Sequence, residues 1–289
     1  MFRAGPPFTA TDLRLGLLAE LPGHWVGHGF ELIAQPSTSN EPPFVLELNA
    51  TKETIEMTAI GGAIPSPGSL QPDIELGGLH YLHRISDSST DTGLHIEPGL
   101  WIRVPPTEDP EVTNDTYVRQ ATTPHGGSFL AQNTFAAAFE TEPTIGPVDS
   151  TPFTGTIPGL NDRAETPLTD RSYLAPYSRS QLPPGLAAGV TAADVISNPA
   201  LLLAEELVDQ YISHTTVIQI STSRVGGIVN IPFVSLNANA VQLDAIYWLE
   251  TVEHPTMGQF LQLQYLQRVI LEYYAVKWPH ISVATLRKQ

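Results

Sequence analysis

Strand-like runs follow one another along this chain with almost no helix between them. "HWVGHGFELIA" (24–34), "FVLELNATKETIEMTAI" (44–60), "GLHYLHRIS" (78–86), "GLHIEPGLWIRVP" (93–105) and "DTYVRQAT" (115–122) are each bounded by Gly, Pro, Asn, Asp or Ser. That punctuation belongs to antiparallel strands. Five further runs lie at 215–221, 227–236, 239–252, 259–275 and 280–287, with Pro232 marking the second as an edge or a bulge. In the third, Val241, Leu243, Ala245, Tyr247 and Leu249 share one side. Such alternation fits a sheet buried on one face. About ten strands without a βαβ rhythm argue against a parallel sheet. A closed antiparallel β-barrel of about ten strands is the expected fold, because closure removes the edges and encloses a cavity.

Helices are expected in two places. Thr11 caps a short one over 12–20, ended by Leu21-Pro22-Gly23. Thr191 and Asp194 open a capping box, and Asn198-Pro199 starts a helix through "ALLLAEELVDQYIS" with Leu201, Ala204, Val208 and Tyr211 on one side. Between 136 and 190 the chain is dense in Pro, Thr, Ser and Gly with no sustained period. That length of irregular chain is uncommon inside a compact domain. The expected organisation is one barrel domain, 1–289, with an insertion at 136–212 that is either an ornament or the cover of a pocket mouth.

The balance of 14 Lys+Arg against 30 Asp+Glu gives a net charge of −16. Phosphate backbones and anionic bilayers repel such a chain, so neither nucleic acid nor membrane is an expected partner. No apolar run is long enough to span a bilayer, and the N-terminal residues lack a secretory-signal pattern. A cytoplasmic location is the expectation, with a homodimer an open one. Cysteine is absent, so any metal is left to His, carboxylate, Tyr or Met.

Nine histidines are the main chemical candidates: 24, 28, 80, 83, 95, 125, 214, 254 and 280. His80 and His83 are three apart and fall on opposite faces of a strand. His24 and His28 can share a face, but neighbouring glycines bend the run. Ser128 follows His125 closely without forming a recognisable hydrolase motif. Glu31 and Glu97 sit in strand-like runs; turned inward they do acid–base work, while the ordinary expectation is a solvated outer face. His280 follows Pro279 at the start of the closing strand, with Ala284 and Leu286 on its side. A haem iron needs a single strong protein ligand, and imidazole is the usual one.

Three collinear stretches resemble the nitrobindin family. "LLAELPGHWVGHGF" is similar to its short helix and GxWxGxG strand, here Gly23, Trp25, Gly27 and Gly29. "DTGLHIEPGLWIR" resembles a strand pair of that family through Leu94, His95, Glu97, Gly99 and Arg103. "WPHISVATLRKQ" resembles its last strand, and "LQYLQRVILEYY" the long strand before it. The resemblance covers about 23–132 and 215–289. The 136–212 block has no counterpart, and "FELIAQPS" replaces the family's usual turn.

The resemblance implies a haem b in the barrel mouth with His280 as its proximal iron ligand. It places Leu94 and His95 near the distal side, and Trp278 close to the ligand is a further candidate contact. It also implies nitric oxide binding and conversion of peroxynitrite. His83, His95 and His125 are the candidate proton shuttles, which would extend the activity to peroxide or an organic substrate in the manner of a peroxidase, peroxygenase, isomerase or dehydratase. The alternative is a haem-free carrier of a fatty acid or other apolar molecule, with Arg103, Arg119 or Arg268 meeting a carboxylate head.

Overall fold

A computed structural model describes residues 10–186, 190–224 and 226–289. Ten long strands form the ring: β1 (Gly23–Pro36), β2 (Phe44–Ala59), β4 (Ile74–Asp87), β5 (Gly93–Val104), β8 (Thr116–Thr122), β9 (Gly127–Phe139), β10 (Tyr211–Ser221), β12 (Asn239–His254), β13 (Gly258–Tyr273) and β14 (Val276–Lys288). Each pairs antiparallel with the next, β14 returns to β1, and β9 joins β10, so the sheet closes. Short β3 (Ile64–Ser66) and β11 (Gly227–Asn230) add to β4 and β9, while β6 (Thr107–Glu108) and β7 (Glu111–Val112) form a separate ribbon. The expected ten-stranded antiparallel barrel is therefore present. The run 227–236 is strand only as far as Asn230; Pro232 opens a short helix over Pro232–Asn237 instead, as proline at a first helical position favours.

One end is plugged. The helix α1 (Ala10–Leu15) and a 3-10 turn (Gly16–Leu18) send Leu15, Leu18 and Leu21 against Trp25, Leu79, Trp101, Leu249, Leu263 and Leu286. The α-helical part, six residues, is shorter than the expected 12–20 helix and starts earlier, and the side chain of Thr11 lies outside those described. The plug's backbone N–H at Leu17, partly buried, is satisfied by the Tyr117 hydroxyl at 3.0 Å, as a buried amide requires.

The insertion lies on the outside of the barrel. Val148, Leu160, Val195, Ile196, Leu202 and Leu203 pack on outward Phe30, Leu32, Ile246, Trp248, Leu266, Ile281 and Val283. Phe153 bridges to Lys277 through two backbone hydrogen bonds of 3.0 and 2.9 Å. Buried Arg268, paired with Asp244, donates to the carbonyls of Pro158 and Gly159. The barrel thus has apolar side chains on both faces along β12–β14 and β1, and the insertion removes the outer ones from water. Asp170 caps α2 (Arg171–Arg179), and Thr191 caps α3 (Ala192–Ser197), the latter as expected. The next helix, α4 (Leu201–Glu206), is shorter than its pattern suggested. It buries Leu202 and Leu203, whereas Val208 and Tyr211 are exposed and Tyr211 already belongs to β10.

Candidate functional site

The inward face changes character along the barrel axis. Below, near the plug, it is apolar. Above, towards the open mouth, it carries Glu31, His83, His95, Glu97, Arg119, Tyr81, Tyr247, Tyr265, Gln267, His280 and Ser282 around one chamber of about 40 Å³. That is room for about three waters.

Strand period explains who faces in. Glu31 shares the parity of Trp25, His83 that of Leu79 and Tyr81, and His280 that of Ala284 and Leu286. Two glycines supply the space. A Cβ on Gly99 would meet the Tyr81 ring at 2.5 Å, and one on Gly29 would meet Glu53 Oε1 at 2.8 Å. Real Cβ contacts are not that short, so the Gly-rich inward positions are what let bulky polar side chains enter the lumen.

Three polar groups line the chamber. At the mouth, His280 Nε2 and Glu31 Oε1 are 2.7 Å apart. Burial opposes ionisation of Glu31, yet the hydrogen bond and charge of His280 outweigh it and hold its pKa below the ordinary carboxyl value. Deeper, Glu53 receives three partners. Tyr265 donates its hydroxyl at 2.7 Å, Thr51 donates at 2.7 Å, and His83 Nε2 lies at 2.8 Å.

On the facing wall, Glu97 accepts from Tyr81 and from Arg119 Nη2. His95 Nε2 is 3.7 Å from its other oxygen. Burial pushes Glu97 up, but the Arg119 charge, with His95 and Tyr81, holds its pKa well below the carboxylate range. Arg119 also donates to Tyr81 at 2.9 Å and to Gln267 at 2.7 Å. It lies over the rings of Tyr81, Phe129 and Tyr247 at 5.6, 5.1 and 5.4 Å. Burial raises the phenols of Tyr81, Tyr247 and Tyr265, so all three stay protonated donors at neutral pH.

The sequence candidates divide. His83, His95 and His280 line the chamber. His125 stands at the rim with its ring 5.8 Å from that of His95. Burial, then the nearby imidazoles of His95 and His280, lower its pKa. Leu94 is not among the lining residues.

Trp278 is fully buried elsewhere: it stacks on Tyr273 at 4.9 Å, packs on Phe44 and Tyr173, and donates to the Tyr273 carbonyl. Trp278 keeps the parity of His280 but packs in a separate cluster with Ala34, Phe44, Tyr273 and Val276, and it is not among the residues lining the chamber.

Of the three arginines expected to meet a carboxylate head, only Arg119 reaches the interior. Arg103 pairs with Asp115, and Arg268 lies on the outer wall. The outward reading of Glu31 and Glu97 is corrected, since both are inside. His24, His28, His80 and Ser128 are exposed on the outside.

Glu53, Tyr81, Tyr247, Tyr265 and Gln267 were missed. The signal for Glu53 was present, because it shares parity with Ile55 and Met57 while Lys52, Thr54 and Glu56 take the other side.

The residues do not fit a tetrapyrrole in the chamber as folded. Small-molecule pockets run to roughly 300–1,000 Å³, far above this volume. The lining carries carboxylates where a porphyrin face needs apolar wall, and the His280 nitrogen facing the chamber is taken by Glu31. A fatty-acid tail meets the same obstacle, because the apolar lower half retains only a void of about 10 Å³. Among the described residues no group of three or more His, Asp or Glu side chains is arranged to hold a metal ion. None of their helices is long and apolar enough to cross a membrane.

No protein-family model matches this chain, and no curated relative matches it. Among solved structures it is similar to the crystal structure of Rv2717c from M. tuberculosis. The two are 13% identical over 98% of this chain and 99% of that one, with a TM-score of 0.44.

Proposed function

We propose that this barrel binds a small polar molecule of a few heavy atoms in its upper chamber and moves protons on it. One observation carries the reading: His280, Glu31 and His83 line one chamber, with His280 paired to Glu31 and His83 backed by buried Glu53. Such pairs accept a proton at one atom of a ligand and return one at another. The Tyr265 hydroxyl orients Glu53, and Arg119, fixed by Glu97, Tyr81 and Gln267, places a positive charge on the facing wall. Charge developing on an oxygen of the ligand is stabilised best by donors already held in place. The reaction class is proton transfer, as in a tautomerisation, hydration or dehydration. His95 and His125 give a route for protons from the rim.

The test is a histidine NMR titration with acetate, acetamide, nitrite and hydrogen peroxide. Binding in the chamber shifts the Cε1 resonances of both His83 and His280. If every probe leaves His83 unmoved, the chamber is not the site.

Haem b held by His280 is the second reading, with nitric oxide, peroxynitrite or peroxide as its ligands. What supports it is the place of His280 on the closing strand, facing the chamber near the mouth. It requires Glu31 to release Nε2 and the mouth to widen.

A further inference from the structure

Outside the barrel, a row of polar side chains crosses four strands beneath one short stretch of the insertion. His28 on β1 is register partner of Thr285 on β14, which is partner of Gln264 on β13. One diagonal step further lies Glu250 on β12, the register partner of Gln262. The stretch from α4 to Gln210 touches this row at three points. Glu206 meets His28 at 2.9 Å. The Leu203 carbonyl accepts from Gln264 at 3.0 Å. Gln210 and Gln262 exchange hydrogen bonds of 3.3 and 3.0 Å, and Gln262 donates on to Glu250 Oε2 at 2.8 Å.

Two acceptors in this row are buried without a partner among the described residues, Glu250 Oε1 and Gln264 Oε1. Both residues are 0% exposed. Their strands are adjacent, their side chains share the outer face, and diagonal neighbours lie within reach of long side chains. A single proton on Glu250 turns its lone acceptor into a donor that Gln264 can take, so one event relieves both costs of an unmade buried hydrogen bond.

We propose that the stretch from α4 to Gln210 is a pH-dependent clasp, holding the insertion on the barrel wall while His28 and Glu250 carry protons. The groups facing Glu250 are uncharged: Gln262 and Gln264 from β13, Gln210 beyond them, and Thr215, its register partner on β10. The groups facing His28 are Glu206 from α4, Glu53 from the barrel interior, and Lys52, its register partner on β2, which is itself paired with Asp91.

Burial raises Glu250 to about 8, and the hydrogen bond to Glu206 raises His28 above its ordinary value. The signs agree. The clasped form binds both protons more tightly than the open one, so rising pH favours opening at both points.

Hydrogen exchange of the 203–210 amides, corrected for intrinsic rates, tests this between about pH 6 and about pH 9. Protection should fall by up to about tenfold per pH unit until Glu250 is ionised and level off above that. Glu250→Gln, which stays neutral, should retain protection at the alkaline end. Glu206→Gln, an outer-surface change that leaves the core intact, should lose protection at the acid end. Equal wild-type protection at both pH values overturns the proposal, as does a Glu250→Gln profile matching wild type. If Glu250→Gln does not fold, Glu206→Gln decides, and unchanged acid-side protection refutes the clasp.

Discussion

Nε2 of His280 stands 2.7 Å from Oε1 of Glu31, although 249 residues separate them in sequence. β1 and β14 are neighbours in the ring, with Leu32 opposite Ile281, and this closure of first strand on last sets the pair at the chamber mouth. The same contact that would let His280 transfer protons occupies the nitrogen that an iron would need.

Haemin titration therefore separates the two functional readings. The expected result with the wild-type chain is no intense Soret band assignable to histidine ligation. A strong band that His280→Ala abolishes would favour haem, and the acid–base reading of the chamber would fall.

Glu97 and Arg119 are 2% and 3% exposed. Removing one partner leaves a buried charge unpaired, so Glu97→Gln or Arg119→Met should each destabilise the fold by about 3–5 kcal/mol in urea denaturation. The combined Glu97→Leu/Arg119→Met variant should recover most of that loss. A double variant as unstable as the two single losses added together would mean that the pair is not coupled.

Gly99 lies against the Tyr81 ring. Gly99→Ala should cost about 1–3 kcal/mol through overpacking. It should also displace Tyr81 from Glu97 and Arg119, which a shift of the buried tyrosine resonances would report. Wild-type stability in this variant would show that the ring has room to move.

Acid should loosen the chamber first. Glu31 and Glu97 both have folded pKa values below the ordinary carboxyl value. Their stabilisation is thus complete above that value and is lost as pH falls through the folded ones. The urea midpoint should drop between about pH 5 and about pH 3, and Glu97→Gln should flatten that limb. A midpoint independent of pH over this range contradicts the assignment.

Much of the architecture was legible because a strand repeats every two residues. The runs at 24–34, 44–60 and 239–252 announced their pleat, and the absence of helices between them left closure as the way to remove sheet edges. Parity also put His280 with Ala284 and Leu286, and His80 opposite His83, as the fold has them. Parity cannot say which face of a pleat is inside when both carry apolar side chains. Here the outer wall is covered by the insertion, so Phe30, Leu32, Trp248 and Ile281 are as buried as the lumen. That hid the inward direction of Glu31 on β1.

The sequence by itself determined the antiparallel class and the alternation within most runs, since these follow from local spacing of apolar residues. The ring strand Gly127–Phe139, however, is not among the expected runs, and 227–236 gave only a short edge strand. Only the tertiary structure decided which acids meet which histidines. Ring closure and strand stagger bring together β1 with β14 and β2 with β4 and β13, and no local period encodes such long-range contacts.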